Sequence, residues 1–524
     1  MTPAFGPETL TAHQQEGMFM SVKATTRFTT VLAVAAVGCA LATVPATAAP
    51  QGESLAEKIS RSVTVDGVYR HLIAFQRLAD RNGGNRAAGT AGHAQSANYI
   101  ADKLKAVGYD VTLHNFSFTS FEIENQTLTA DGRSIPTQMM TYSKSTPVGG
   151  VTAPLVPVPV DATPGCEATD YAGVNVTGKV ALIKRGACSF AQKQQVAADA
   201  GAIAAVVYNN VPGGLLGTVG DPAAARIPTV GIAQADGEAL AATPPASVTV
   251  DVRGEEQTRQ TFNVLAETKT GRKDNVVMAG AHLDGVEEGP GINDNGSGSA
   301  VLLETALKLG GSPKVNNAIR FGWWSAEELG LIGSTEYVRS LSFEQQLDIA
   351  LYLNFDMVGS PNAAHFLYDG DDSDQEGAGP GPLGSGPIEE ALKARFDAAG
   401  VPTEGTDFSG RSDYGEFIAQ GIPAGGTFTG AEGIMTAEQA AKWGGQAGVA
   451  YDKCYHSACD NLFNINRKAL GTQATAISYV VTAYGHSTED VNGVPPRSER
   501  AEARTMAKAR GLSATAPHGH GVAS

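Results

Sequence analysis

Asn275-Val-Val-Met-Ala-Gly-Ala-His282-Leu-Asp284 is the stretch on which the reading of this chain turns. An apolar, strand-like run ends in a histidine and an aspartate, so ligand-type side chains stand at the carboxyl end of the run. Two later segments repeat the design: Ala318-Ile-Arg-Phe-Gly-Trp-Trp324 leads into Ser325-Ala-Glu327-Glu328, and Ile349-Ala-Leu-Tyr-Leu353 leads into Asn354-Phe-Asp356. Open α/β sheets bind ligands at the carboxyl ends of their strands. From about residue 260 to 486 strand-like and helical patterns alternate, which predicts an α/β domain with a mixed, largely parallel sheet flanked by helices.

Between the first two segments lies Gly289-Pro-Gly-Ile-Asn-Asp294-Asn-Gly-Ser-Gly298, a glycine-rich loop opening a helix over Ser299–Ala306. A loop of this kind before a helix also suits a phosphate, but no Lys-Ser/Thr pair completes a P-loop. A fifth segment, Cys454-Tyr455-His456-Ser-Ala-Cys459, places a histidine inside a short cysteine-bounded loop. A disulfide there would hold His456 rigidly; a cysteine–histidine catalytic pair is the alternative, disfavoured in an exported protein with a partner cysteine at hand. Taken singly, each acid reads as a helix cap and each histidine as a surface or core residue. Jointly, His282, Asp294, Glu328, Asp356 and His456 are the imidazole and carboxylate donors that zinc takes. Five side chains serve two ions if one carboxylate bridges.

The 524 residues exceed one ordinary core, and 42% hydrophobic with 18% charged residues is a globular composition. A formal charge of −16 with scattered Lys and Arg argues against a nucleic-acid partner. Residues 1–49 read as a signal peptide with an upstream extension. Lys23 and Arg27 precede the apolar run Val31–Val44, too short for a comfortable membrane span, and Ala46-Thr-Ala48 offers a small-x-small cleavage site. A secreted, extracellular protein with no membrane attachment after cleavage is expected. Cys39 falls inside the signal; a lipid-attachment role is the weaker reading, because Ala36-Val-Gly-Cys39 lacks the usual leucine. Cys166, Cys188, Cys454 and Cys459 remain, and sequence proximity favours Cys166–Cys188 and Cys454–Cys459 among the three possible pairings. Residues 50–140 form the first part of the catalytic domain and 141–257, rich in Val, Pro, Ala and Gly, a small β-rich insertion. The metal site lies in 258–488, and 489–524 is expected to be a disordered or removable tail.

At these residues the chain resembles the secreted di-zinc aminopeptidases of the actinobacterial leucyl-aminopeptidase type, within the zinc exopeptidase superfamily. AHLD (281–284), GINDNGSG (291–298), SAEELGLIGS (325–334), NFDMVGS (354–360), GRSDYGEF (410–417), GIPAGGTFTG (421–430) and CYHSACDNL (454–462) carry the resemblance in the family's order. Gly178–Gly186 and Cys188-Ser-Phe190 resemble a protease-associated domain, often inserted in this family. The resemblance implies two Zn2+ ions, one on His282 and Asp356, the other on Glu328 and His456, bridged by Asp294. It implies Glu327 as general base towards a metal-bound water, Asp284 as the partner orienting His282, and Tyr455 as a donor to the developing oxyanion. Arg411 with Ser412-Asp413-Tyr414 lines the substrate side, Tyr414 standing where many relatives have a small polar residue or histidine.

The implied activity is removal of N-terminal residues, bulky apolar ones foremost, from peptides or proteins by a monomer. A carboxypeptidase or a glutaminyl cyclase on the same scaffold is the alternative. A receptor-like protein without catalysis is disfavoured, since all five ligand positions are filled. The acidic loop Asp369–Asp374 offers oxygens to a calcium ion, but it lacks the twelve-residue calcium-loop pattern, and a solvated loop is the stronger expectation.

Overall fold

The main sheet is built on β3 (Arg272–His282), whose residues from Asn275 to His282 are all buried. Around it, in a computed structural model that describes residues 53–375, 377, 379–488 and 494–509, stand β1 (Asp110–Ala130), β2 (Val248–Glu267), β4 (Asn317–Trp324), β5 (Ile349–Phe355), β6 (Phe366–Tyr368), β7 (Glu404–Thr406) and β8 (Ala424–Phe428). Their order is β7-β6-β8-β5-β3-β4-β2-β1. The centre, β4-β3-β5-β8, is parallel, whereas β2 joins β4 and β6 joins β8 antiparallel. The sheet is thus mixed with a parallel core, as the strand–helix alternation predicts.

Period-two geometry assigns the two faces. Val277, Ala279 and Ala281 of β3 join Phe321, Trp323, Leu351 and Leu353 in one core. That core is covered by α1 (Val65–Arg81), α2 (Ala91–Ala106), α3 (Gly296–Leu309) and α4 (Arg467–His486). Met278, Trp324 and Tyr352 face the other way, against Tyr337, Phe417 and Ile418. Both faces are dry, which is why these strands read as continuous apolar runs. The chain moves from β3 to β4 on one side and later to β5 on the other. His282 therefore ends a strand next to the switch point, where an open sheet forms its crevice.

A smaller five-stranded sheet spans Thr137–Met139, Leu155–Pro157, Val180–Lys184, Ala204–Tyr208 and Thr229–Ile232. It is reached and left by the long antiparallel ribbon of β1 and β2, paired from Asp110↔Glu267 to Ala130↔Val248. Its edge strand Thr137–Met139 lies upstream of position 141, and Val151–Ala153 pairs with β2 instead. A disulfide joins Cys166 to Cys188 in this region.

The carboxyl-terminal stretch departs from the expected disorder. Residues 494–509 are described, and Arg497–Ala509 is a helix, α5. Its composition is poor in apolar residues, but Arg500 and Arg504 are only 2% and 1% exposed. Arg500 donates to the carbonyls of Pro495 and Leu347 and to Asn275 Oδ1, and Arg504 donates to the carbonyl of Ile349. Buried guanidinium hydrogen bonds at the entry to β5 take the place of apolar burial. The signal-like segment with Cys39 lies outside the described residues, as do 489–493 and 510–524. Among the described residues no helix is long and apolar enough to cross a membrane.

Replacing Arg500 with alanine strands the Leu347 carbonyl and the Asn275 amide oxygen in the interior. The expected cost is about 2–4 kcal/mol, read as a lower urea midpoint; an unchanged midpoint would show that α5 is not fastened in this way.

Candidate metal centre

The three strand ends meet as the sequence implies. His282 terminates β3, Glu327 and Glu328 follow β4, and Asp356 follows β5. Asp294 arrives on the glycine-rich loop and His456 on the loop closed by the Cys454–Cys459 disulfide. The two carboxylate oxygens of Asp294 separate the histidines: Oδ1 stands 3.2 Å from His282 Nε2 and Oδ2 stands 3.2 Å from His456 Nε2. On the first side Asp356 Oδ1 lies 3.2 Å from His282 Nε2. On the second, Glu328 Oε2 lies 2.9 Å from His456 Nε2. Glu327 Oε2 is more distant, 3.9 Å from His282 Nε2. His282 belongs to two compact donor sets that could hold a cation, one with Glu327 and Asp356 and one with Asp294 and Glu328.

The charge balance calls for such cations. Burial pushes Glu328 up to about 7, and burial with the nearby carboxylates pushes Glu327 well above the carboxylate range. Burial also acts on Asp294, but the two histidines outweigh it and hold that carboxyl below its ordinary value. In return the carboxylates raise His282, against its own burial, and lift His456 to about 10. Glu328 Oε1 is buried without a hydrogen-bond partner among the described residues. A buried carboxylate oxygen is costly unless paired. Two imidazoles and three carboxylates around one bridging acid fit two divalent, borderline-soft cations, zinc foremost.

The loop carrying Asp294 is shaped by close approach. A β-carbon on Gly298 would sit 2.1 Å from the Phe355 carbonyl oxygen, so only glycine lets α3 start against the end of β5. The loop's backbone N–H groups at Asn293 and Asp294 donate to the Asp460 carboxylate at 2.8 and 3.0 Å. From below, fully buried Arg86 donates to the carbonyls of Leu283, Pro290 and Gly291. Sequence reading passed over both residues: Asp460 trails a motif already assigned to His456, and nothing local marks Arg86 as more than a surface arginine.

Asp284 differs from the role the resemblance implies. His282 Nδ1 meets the Asp284 backbone carbonyl at 3.1 Å, while the nearer carboxylate oxygen is 3.9 Å away. The carboxylate instead accepts the backbone N–H groups of Glu327 and Glu328 at 3.3 and 3.4 Å. The carbonyl lies closer because Asp284 has already left the strand, so its side chain turns towards the end of β4.

Beside the cluster opens a cavity of about 350 Å³ with apolar walls that include Met357, Phe366, Tyr368, Phe428 and Tyr451. Tyr414 lines it but is 1% exposed, its hydroxyl accepting the Gly410 N–H. At the rim Tyr455 stacks on His456 with ring centroids 3.8 Å apart. Arg411 reaches the Tyr455 hydroxyl at 3.3 Å and Glu432 at 2.9 Å. Elsewhere Asp369, Asp371 and Glu389 cluster, but the oxygens of Asp369 already accept backbone N–H groups of Ser373 and Asp374, and Glu389 accepts that of Gly370. The loop satisfies itself.

A parallel-core α/β sheet with paired acid–histidine donor sets at its strand ends defines a metal-dependent hydrolase. Comparison narrows the class. The family model described as Peptidase family M28 matches residues 263–481, and the PA domain model matches 151–240. A probable lipoprotein aminopeptidase, LpqL, of Mycobacterium tuberculosis is 44% identical over 460 residues, 87% of this chain and 92% of the relative. Leucine aminopeptidase 2 of Arthroderma otae is 47% identical over 79% of this chain and 82% of its own length. Among solved structures, an aminopeptidase from Aneurinibacillus sp. strain AM-1 superposes with a TM-score of 0.65 at 29% identity, covering 84% of this chain and 98% of that one. A zinc aminopeptidase from Bacillus subtilis gives 0.62 at 26% identity, over 83% and 98%. The chain belongs to peptidase family M28, as a metallopeptidase with an inserted PA domain.

An Asp460→Asn variant offers an amide N–H to a backbone N–H that needs an acceptor. Zinc retention against a chelator is expected to weaken about 10–100-fold, as for loss of an outer support of a metal ligand. Retention equal to that of the parent would remove Asp460 from the support of Asp294.

Proposed function

We propose that this chain is an extracellular two-zinc aminopeptidase that removes N-terminal residues, bulky apolar ones foremost, from peptides and proteins. One observation carries the reading: the Asp294 carboxylate divides its oxygens between His282 and His456, 3.2 Å from each, beside a cavity with apolar walls. In the proposed division of ligands, His282 and Asp356 hold one ion, Glu328 and His456 the other, and Asp294 both. Zinc, when bound, supplies Lewis acidity and lowers the pKa of a coordinated water towards about 7.

The chain's own groups divide the remaining work. Glu327, buried and set back from the histidines, accepts the proton of the attacking water and returns it to the leaving amine. The Tyr455 hydroxyl, steadied by Arg411, donates to the oxygen that gains charge on the scissile carbonyl. Asp284 keeps the Glu327 and Glu328 backbone in place. The apolar walls exclude water and receive the side chain of the first residue.

Electrostatics favours the amino end of a peptide over the carboxyl end. Asp294, Glu327, Glu328, Asp356 and Asp407 line the cavity, and Arg411, the one Lys or Arg among its described lining residues, is already paired with Glu432. With that one basic side chain already paired, the described lining offers no separate ammonium or guanidinium to a substrate carboxylate, which disfavours the carboxypeptidase alternative. Export is supported by two disulfides and by the signal-like segment. The division of the chain into catalytic parts at 50–140 and 258–488 around an insertion at 141–257 belongs to the same proposal, as does monomeric action.

Leucyl anilide hydrolysis is expected to vanish on zinc removal, to return on zinc addition, and to fail on the N-acetylated substrate. Glu327→Gln should retain zinc and lose roughly 10²–10⁴-fold in kcat. Undiminished turnover after thorough chelation, or in that variant, would refute the mechanism; cleavage of the acetylated substrate would refute the exopeptidase assignment.

A further inference from the structure

Behind Asp356 runs a line of buried polar groups that the mechanism does not use. The indole Nε1–H of Trp324 donates to the Tyr352 hydroxyl at 2.8 Å. The Tyr352 hydroxyl donates to Asn354 Oδ1 at 3.0 Å. Asn354 Nδ2 donates to Ser412 Oγ at 2.8 Å, and Ser412 Oγ donates to Asp356 Oδ2 at 2.6 Å. Trp324 and Tyr352 are 0% exposed, Asn354 1% and Ser412 4%.

The direction of this line is forced by its ends. An indole nitrogen only donates and a carboxylate only accepts. Between them hydroxyl, amide and hydroxyl are each both donor and acceptor, so one orientation alone satisfies every member. The amide of Asn354 cannot turn over without opposing N–H to O–H on one side and oxygen to oxygen on the other. Buried polar groups left unpaired in this way are destabilising.

The fold makes room for the first link. β3 lies between β4 and β5, so Trp324 and Tyr352 must meet across it. They do so over Gly280, where a β-carbon would stand 2.3 Å from the Tyr352 hydroxyl and 2.5 Å from the Trp324 nitrogen. A glycine within a strand often marks such a close approach. Phe417 stacks on the Tyr352 ring at 3.8 Å, fixing where its hydroxyl points. Tyr352 and Asn354 are two residues apart in β5 and share a face, which carries the line towards Asp356.

We propose that Trp324, Tyr352, Asn354 and Ser412 form a one-way hydrogen-bond chain that holds Asp356 with Oδ1 towards the metal centre and Oδ2 turned away, Ser412 being the positioning residue for that ligand. The proposal rests on the two-zinc reading. Asp356 Oδ1 is the atom 3.2 Å from His282 Nε2, and its partner oxygen is occupied by Ser412. Asp356 therefore offers one oxygen rather than two, and the carboxylate cannot rotate between them. The Glu328–His456 side has no share in the chain, so its effect falls on one ion only.

The test is titration of metal-free protein with Co2+, followed by visible absorption, and with Zn2+ in competition with a chelator. His456→Ala marks the equivalent that does not depend on His456. In Ser412→Ala that same equivalent is expected to weaken about 10–100-fold, as on removal of an outer-shell partner, with the other equivalent unmoved. Ser412→Thr, which keeps the hydroxyl, should restore it. Tyr352→Phe retains the ring on Phe417 and removes the hydroxyl with both of its hydrogen bonds, to Trp324 and to Asn354; it should weaken the same equivalent at least fivefold, about the value of one net hydrogen bond, and it carries the test should Ser412→Ala not fold. Equal weakening of both equivalents, or none, overturns the chain. A parent protein that takes up fewer than two equivalents overturns the two-zinc reading itself.

Discussion

The carboxylate of Asp294 lies between two imidazoles, one oxygen 3.2 Å from each, and the surrounding architecture is a set of answers to holding it there. A short acid cannot face two ways unless its backbone is brought close to both partners. The glycine-rich loop allows that approach, with Gly298 pressed against the end of β5. Asp460 fixes the loop from one side and Arg86 from another. The histidine partners are held as firmly: His282 by its place at the end of β3, His456 by a disulfide five residues across. Candidate donors from separate parts of the chain are thus held in place by the protein itself, which would lower the ordering cost of binding a cation.

Burial has a second consequence. Acids removed from water lose their charge unless something compensates them. Here buried Arg86 spends its hydrogen bonds on carbonyls rather than on carboxylates. The centre is left with an excess of negative charge and a strong demand for positive charge from outside the protein. Bound cations answer that demand, so the burial of the acids and the affinity for metal share one electrostatic origin.

Much of this was legible in the sequence because strand ends announce themselves. The apolar runs before His282, Glu327 and Asp356 predicted buried parallel strands, and the structure brings their terminal residues together. The helix after the glycine loop was legible too, though it begins earlier, at Gly296. What the sequence hid were interactions that depend on direction rather than residue type. Asp284 sits beside His282 in sequence, yet its carboxylate serves Glu327 and Glu328. Ser412 read as part of a substrate wall, but it points backwards to Asp356. Arg500 falls in the stretch expected to be a disordered or removable tail, and remote partners such as the Leu347 carbonyl give it a buried role. In each case the deciding partner is remote in sequence, and composition carries no trace of it.

The paired strands β1 and β2 carry one more implication. They run side by side from Asp110↔Glu267 to Ala130↔Val248, so the chain re-enters the main sheet one strand away from where it left. Whatever is built at the far end of the ribbon is invisible to the topology at the near end. A change of length confined to the insertion leaves the register of the parallel strands untouched. The ribbon thus uncouples the two sheets in register, although its far end, at Leu128, Val248 and Val250, is built into the core of the smaller one.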